Sequence, residues 1–192
     1  GQNANVLHYI ENNRQCKAGD LLLVDAAAEY ANYSSDLTRT IPVSGRFSER
    51  QKAVYNAVNR VKKEATKMLL PGTDWAAYHK EVGKLMTSEL LGLQLLDKAA
   101  VQNENSDWPA YKKYFMHGTS HHMGLDTHDY GLLTEPMQAN MVCTVEPGIY
   151  IPEEGFGIRL EDDVVLQESG SPFNLMHDIP IEVEEIESLM NS

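Results

Sequence analysis

The chain has 192 residues, which allows one domain or one and part of another. With 28 acidic against 16 basic residues its net charge is −12, which argues against a nucleic-acid backbone or an anionic membrane as partner and suits a site that holds cations. An apolar fraction of 42% with 23% charged residues is a globular composition, and no apolar run approaches a membrane span. Two cysteines, Cys16 and Cys143, are too few for a disulfide framework and fit a reducing compartment, so a cytoplasmic location is expected.

In chain order, Val6–Ile10 reads as a short strand with nothing resembling a signal peptide before it. This abrupt start is what a piece of a longer protein would show. Asn12, Asn13 and Lys17–Asp20 carry turn chemistry. Leu21–Val24 is a continuous apolar run and reads as a buried strand. Tyr33–Val43 is extended, closed by Pro42 and Gly45. Ser48 and Gln51 then form a capping box. Val54, Val58, Val61, Ala65, Met68 and Leu69 follow at helical spacing until Pro71-Gly72.

A second helix starts at Thr73 or Asp74, with the stripe Tyr78, Val82, Leu85, Met86 and Leu90. Residues 97–110 read as a polar loop with a short helix. Strands are expected near Met141–Val145, Ile149–Ile151, Gly157–Glu161 and Val164–Leu166, and Ile181–Met190 reads as a short helix or a frayed strand. Strands, two helices, then strands is the order of an α+β domain, with helices on one face of a mainly antiparallel sheet.

Four segments put polar residues where strands should be apolar. In Val24–Thr40, Asp25 and Asp36 stand eleven residues apart. Burying both is costly, so either Arg39 or a metal ion must neutralise them. In Met116–Asp129, His117, His121, His122 and His128 place four of the seven histidines within twelve positions. Imidazole binds metals and shuttles protons near neutral pH. Glu146 ends an apolar strand before Pro147-Gly148. In Gly157–Asp163, strand alternation would set Arg159 and Glu161 on one face, where a surface ion pair is the plainest reading. Together the acids and imidazoles exceed one tetrahedral zinc site, and bridging carboxylates could hold two ions about 3.5–4 Å apart. Oxygen ligands with imidazole favour Mn, Fe, Co or Zn.

These segments, in this order, resemble the metal-dependent peptidases of family M24, with the pita-bread (creatinase/aminopeptidase) fold, and among them the Xaa-Pro aminopeptidases (aminopeptidase P). The likeness runs from NVLHYIENN at Asn5–Asn13 to GIRLEDDVV at Gly157–Val165, and SHHMGLDTHD is its most telling stretch. It implies an α+β fold with a curved, mainly antiparallel sheet. It also implies that residues 1–192 are a partial catalytic domain, whose first helices and separate N-terminal domain are absent.

The resemblance further implies two divalent metal ions, Mn(II) first and Co(II) or Zn(II) next. Their ligands would be Asp25, Asp36, His121, Glu146 and Glu161, with Asp36 and Glu161 bridging. His121 is preferred to His122 because it follows Ser120. Glu146 would carry a proton to the leaving imino nitrogen, and His128 would hydrogen-bond the scissile carbonyl. His117 and His8 would line the substrate site, with Arg159 near the proline side. The activity implied is hydrolysis of an N-terminal Xaa-Pro bond by a metal-bridging hydroxide, on peptides with proline second, in a homo-oligomer.

Prolidase, restricted to dipeptides, is the nearest alternative. A metal-free peptidase-like binding module is the alternative of another class, and ligand loss would mark it. One departure is Ala27, where the family has glycine; alanine costs little there if its backbone angle is ordinary.

Overall fold

Strand β1 (Leu21–Ala26) is followed by the two-residue strands β2 (Glu29–Tyr30) and β3 (Tyr33–Ser34) and by strand β4 (Leu37–Pro42), with Asp25 in β1 and Asp36 one residue before β4. β1 pairs antiparallel with β4 from Leu21↔Pro42 to Ala26↔Leu37, and β2 pairs with β3. This computed structural model describes residues 1–192. The remaining elements are α1 (Glu49–Met68), α2 (Trp75–Gly92), α3 (Lys98–Gln102), β5 (Val142–Val145), β6 (Gly148–Ile151), β7 (Phe156–Arg159), β8 (Asp162–Val165), β9 (Phe173–Asn174) and α4 (Val183–Met190).

All strand pairings are antiparallel: β5 with β8, β8 with β9, and β6 with β7. The strands form four small sheets rather than one continuous sheet. α1 packs against α2, α4 and strands β5, β6 and β7. The core beneath it runs from Leu21 through Val54, Val58 and Val61 of α1, Val82, Met86 and Leu90 of α2, to Val145, Ile149 and Ile158 of the strands. No helix is long and apolar enough to cross a membrane.

The helix boundaries follow local chemistry. Ser48 caps α1 through the N–H of Gln51, whose side chain returns to the Ser48 N–H, completing the capping box. Asp74, not Thr73, caps α2 through the N–H of Ala77. Asp97 caps the short α3 inside the polar 97–110 stretch. Residues from Val183 form a helix, so the frayed-strand reading of 181–190 falls.

Four expectations are corrected. Val6–Ile10 is not a strand. It is irregular chain after a 3-10 turn at Gln2–Asn5, no ladder partner lies beside it, and Ile10 is 85% exposed. Leu21–Val24 is a strand, but only Leu21 is buried; Leu22 and Val24, two residues apart, share a solvent-facing side of β1. Tyr33–Val43 is not continuous. It breaks at Ser35-Asp36, where the Asp36 N–H leaves the ladder for the Asp163 carboxylate at 2.9 Å. The strand expected over Gly157–Glu161 likewise stops at Arg159, because the Glu161 N–H crosses to the Thr38 carbonyl at 3.0 Å.

Candidate metal centre

Those two breaks bring the acids together. Asp25 lies near the end of β1, Asp36 one residue before β4, Glu146 between β5 and β6, and Glu161 between β7 and β8. His121 joins them from the loop before β5, registered by its own N–H to the Thr144 hydroxyl (3.2 Å) and by the Thr144 N–H to its carbonyl (3.1 Å). All five line one cleft of about 360 Å³, together with Leu7, His8, His117, Gly118, Ser120, His128 and Arg159.

Donor atoms of three overlapping trios lie within 4.8 Å of one another: Asp25–Asp36–Glu161, His121–Glu146–Glu161 and Asp36–His121–His128. Asp36, Glu161 and His121 each belong to two trios, and of these three only the carboxylates have a second oxygen with which to bridge. The expected donor set converges whole, and His128 is close enough to be counted with it; its ring centroid is 4.2 Å from that of His121.

The acids are under electrostatic strain. Four carboxylates face one guanidinium, Arg159. Burial, with Glu146 and Asp36 beside it, pushes Glu161 up to about 9. Burial likewise pushes Glu146 up to about 7. Asp25 is raised by burial and by Asp36, against the pull of Arg159, which bonds it at 2.5 Å. Burial alone would lower His121, but Asp36, the His122 carbonyl and Glu146 outweigh it and hold it above the ordinary range. His121 Nδ1–H donates to the His122 carbonyl (3.0 Å), which turns the Nε2 lone pair into the cleft, 3.6 Å from Asp36 and 3.7 Å from Glu146. That Nε2 is buried and has no hydrogen-bond partner.

Orphaned imidazole nitrogen among crowded carboxylates is the environment a divalent cation relieves, so the residues fit the implied metals. The donor set, oxygen-rich with imidazole, is also the one divalent transition metals take.

Arg159 and Glu161 are not a surface pair: both are buried, at 4% and 2% exposure. Arg159 Nη1 donates to the Tyr150 hydroxyl (3.0 Å). His117 Nδ1–H donates to the Gly118 carbonyl (2.8 Å), so its Nε2 accepts from Tyr150 (2.9 Å). Burial pushes His117 down to about 4, which keeps it neutral and able to accept. Helix α2 braces the histidine loop: the Tyr78 hydroxyl meets Ser120 Oγ at 3.1 Å and His79 Nδ1 meets Thr119 Oγ1 at 2.9 Å.

Arg39 does not neutralise Asp25 or Asp36. It bonds Asp162 (2.7 Å) and the carbonyls of Glu161, Thr38 and Pro180 on the other side of the strands. His122 turns away from the trios and stacks on Trp75 at 4.6 Å. His8 lines the cleft 6.2 Å from the His128 ring. Ala27 has no positive φ, so alanine is unstrained there.

The sequence reading missed Tyr150 and Thr38. Tyr150 ends TVEPGIY but was given no role. Thr38 sits two residues after Asp36, on the same face of an extended chain, a signal that alternation carries. Leu7 is the cleft's single apolar liner.

The fold is of the pita-bread class, and the cleft gathers donors of the kind that hold divalent metals. The sequence pattern of metallopeptidase family M24 matches residues 1–168, and the chain belongs to that family. It is 40% identical, over its whole length, to the Xaa-Pro aminopeptidase of Haemophilus influenzae. Solved structures of Escherichia coli aminopeptidase P superpose on the whole chain. The Zn-substituted form in complex with product does so at a TM-score of 0.90 and 38% identity, the form with the inhibitor Pro-Leu at 0.89 and 39%. The chain spans 46% of the length of each of these relatives.

Proposed function

We propose that residues 1–192 are the ligand-bearing part of a catalytic domain that removes the first residue from peptides with proline second. The observation that carries this is the convergence of Asp25, Asp36, His121, Glu146 and Glu161 on one cleft, with the His121 Nε2 unpartnered among the acids. Relatives named for this activity support the substrate class, and the Pro-Leu inhibitor of one of them supports proline at the cleft. A metal-free binding module would have lost ligands, and none is lost here.

Two divalent ions, Mn(II) by preference, would be held by these five residues and would supply an ionised water and Lewis acidity toward the scissile carbonyl. The protein groups do the rest. Glu146, held ionised by cations beside it, would accept the water's proton and pass it to the imino nitrogen, which cannot leave as an anion. A bond to proline has no N–H to recognise, so donors must be aimed at the carbonyl instead. His128 is placed beside His121 for that task. His117, fixed by Tyr150 and Gly118, and His8 line the path of the N-terminal residue. Arg159 holds Asp25 and forms the wall opposite.

The test is metal content of the purified chain before and after Mn(II) loading, with cleavage of an Xaa-Pro tripeptide and an Xaa-Pro dipeptide followed alongside. Two metals per chain are expected, with at most slow release of the first residue of the tripeptide. Cleavage of the dipeptide alone would establish prolidase activity instead. No tight metal would defeat the proposal.

A further inference from the structure

Thr38 is fully buried between two charged groups that would otherwise meet. Its Oγ1 accepts a hydrogen bond from Arg159 Nε at 3.1 Å and lies 2.6 Å from Glu161 Oε2. The guanidinium can only donate, so the hydroxyl must accept there. Its single proton therefore points at Glu161. The bonds run one way, from Arg159 through Thr38 to Glu161. Arg159 Nη2 at the same time donates directly to Asp25. One guanidinium thus ties both outer carboxylates of the cleft, Asp25 by contact and Glu161 through a hydroxyl.

The spacing makes the hydroxyl more than a filler. Arg159 Nε and Glu161 Oε2 stand 3.9 Å apart, too far for a hydrogen bond and close enough to become one if nothing stood between them. A direct Arg–carboxylate pair would use up an oxygen of Glu161 and rotate the carboxyl toward Arg159. Glu161 belongs to two of the three donor trios, so losing its orientation disturbs both ends of the cluster.

We infer that Thr38 is a positioning residue, a hydroxyl spacer that keeps Glu161 an acceptor turned toward the cations rather than a partner of Arg159. This rests on the metal-centre reading above. Strand β4 supplies its own control. Thr40, equally buried two residues on, bonds only the backbone of Arg159, donating to its carbonyl at 3.0 Å and accepting from its N–H at 3.3 Å.

The experiment is Mn(II) titration calorimetry on the 192-residue chain and on Thr38→Val, Thr38→Ala, Thr38→Ser and Thr40→Val, with circular dichroism to verify folding. Loss of the hydroxyl in Thr38→Val and Thr38→Ala is expected to weaken Mn(II) binding about 10- to 100-fold, the range for groups that orient metal ligands. Thr38→Ser restores wild-type affinity, and Thr40→Val retains it. If Thr38→Val does not fold, the serine–alanine comparison decides. Equal weakening by Thr38→Val and Thr40→Val, or failure of serine to rescue, overturns the inference while leaving the metal centre intact. No Mn(II) binding by the unsubstituted chain overturns both.

Discussion

Glu161 and Glu146 set the pH response of the cation-free chain. A glutamate whose folded pKa is raised binds its proton more tightly in the native state, so stability is lost as pH rises from the ordinary value toward the raised one. For Glu161 that window runs from about 4.5 to about 9, and for Glu146 to about 7. Asp163, pushed up by burial to about 7, adds to the same slope. His117 opposes it below its ordinary value, since its lowered pKa favours the native state as pH rises from about 4 to 6.5. Above that value the acids act against little opposition. The chelated chain is therefore expected to melt at a higher temperature near pH 6 than near pH 8. Saturating Mn(II) should flatten or invert that trend, because cations take the places of the protons. Thermal melts at both pH values, with chelator and with Mn(II), check this. An unchanged trend on loading would count against Glu146 and Glu161 as ligands. Only part of this was legible beforehand. The acids were visible as polar residues at strand ends, whereas the partner of each was not. The sequence offers Arg39 as their counterion, whereas the strand crossing sends Arg39 to Asp162 and Arg159 to Asp25.

At the scale of elements, α1 is tied to β8 by a buried cluster: Asp162 accepts from Arg39 at 2.7 Å, from Lys62, and from Asn174 at 2.7 Å. Burial alone would raise Asp162, yet Lys62 and Arg39 hold it below the ordinary carboxylate range. Removing it in Asp162→Ala leaves two buried cations without their anion and should cost about 3–5 kcal/mol, read from urea unfolding. A loss below about 1 kcal/mol, the scale of an exposed ion pair, would show that the cluster is hydrated. Helix α2 offers a second case. Alanine in place of a helical glycine ordinarily gains about 1 kcal/mol. At Gly83 the added methyl would fall 2.5 Å from the Tyr111 ring, so Gly83→Ala should instead destabilise by about 1–3 kcal/mol. A stabilised variant in the same unfolding assay would contradict the tight packing of α2 on the 110–113 turn. Both helices were readable from spacing and caps, because those signals are local. The failure at Val6–Ile10 has the matching reason: a strand exists through its neighbour, and this apolar run has none.

Over the whole molecule, a number of large apolar side chains stay exposed. Leu22 and Val24 of β1 are 39% and 41% exposed, and Tyr30, Leu125 and Tyr130 are exposed as well. Such surface drives association, in line with the homo-oligomer expected from the sequence. Sedimentation velocity should show concentration-dependent self-association of the 192-residue chain, and a monomer at every concentration would contradict it. Turnover of an Xaa-Pro tripeptide by the chain alone is expected to be weak or absent even with both cations bound, since Leu7 is the cleft's lone apolar contact for a proline ring.

By itself the sequence determined the two helices and their caps and the α+β order, because periodicity and capping are carried by neighbouring residues; the five donors were expected only through the ordered motifs of the M24 resemblance. Tertiary structure alone decided that Asp36 and Glu161 each serve two trios and that Arg39 belongs to a different cluster. It alone put a threonine between Arg159 and Glu161. Those facts depend on where β4, β7 and β8 meet, and they are made by hydrogen bonds between residues more than a hundred positions apart.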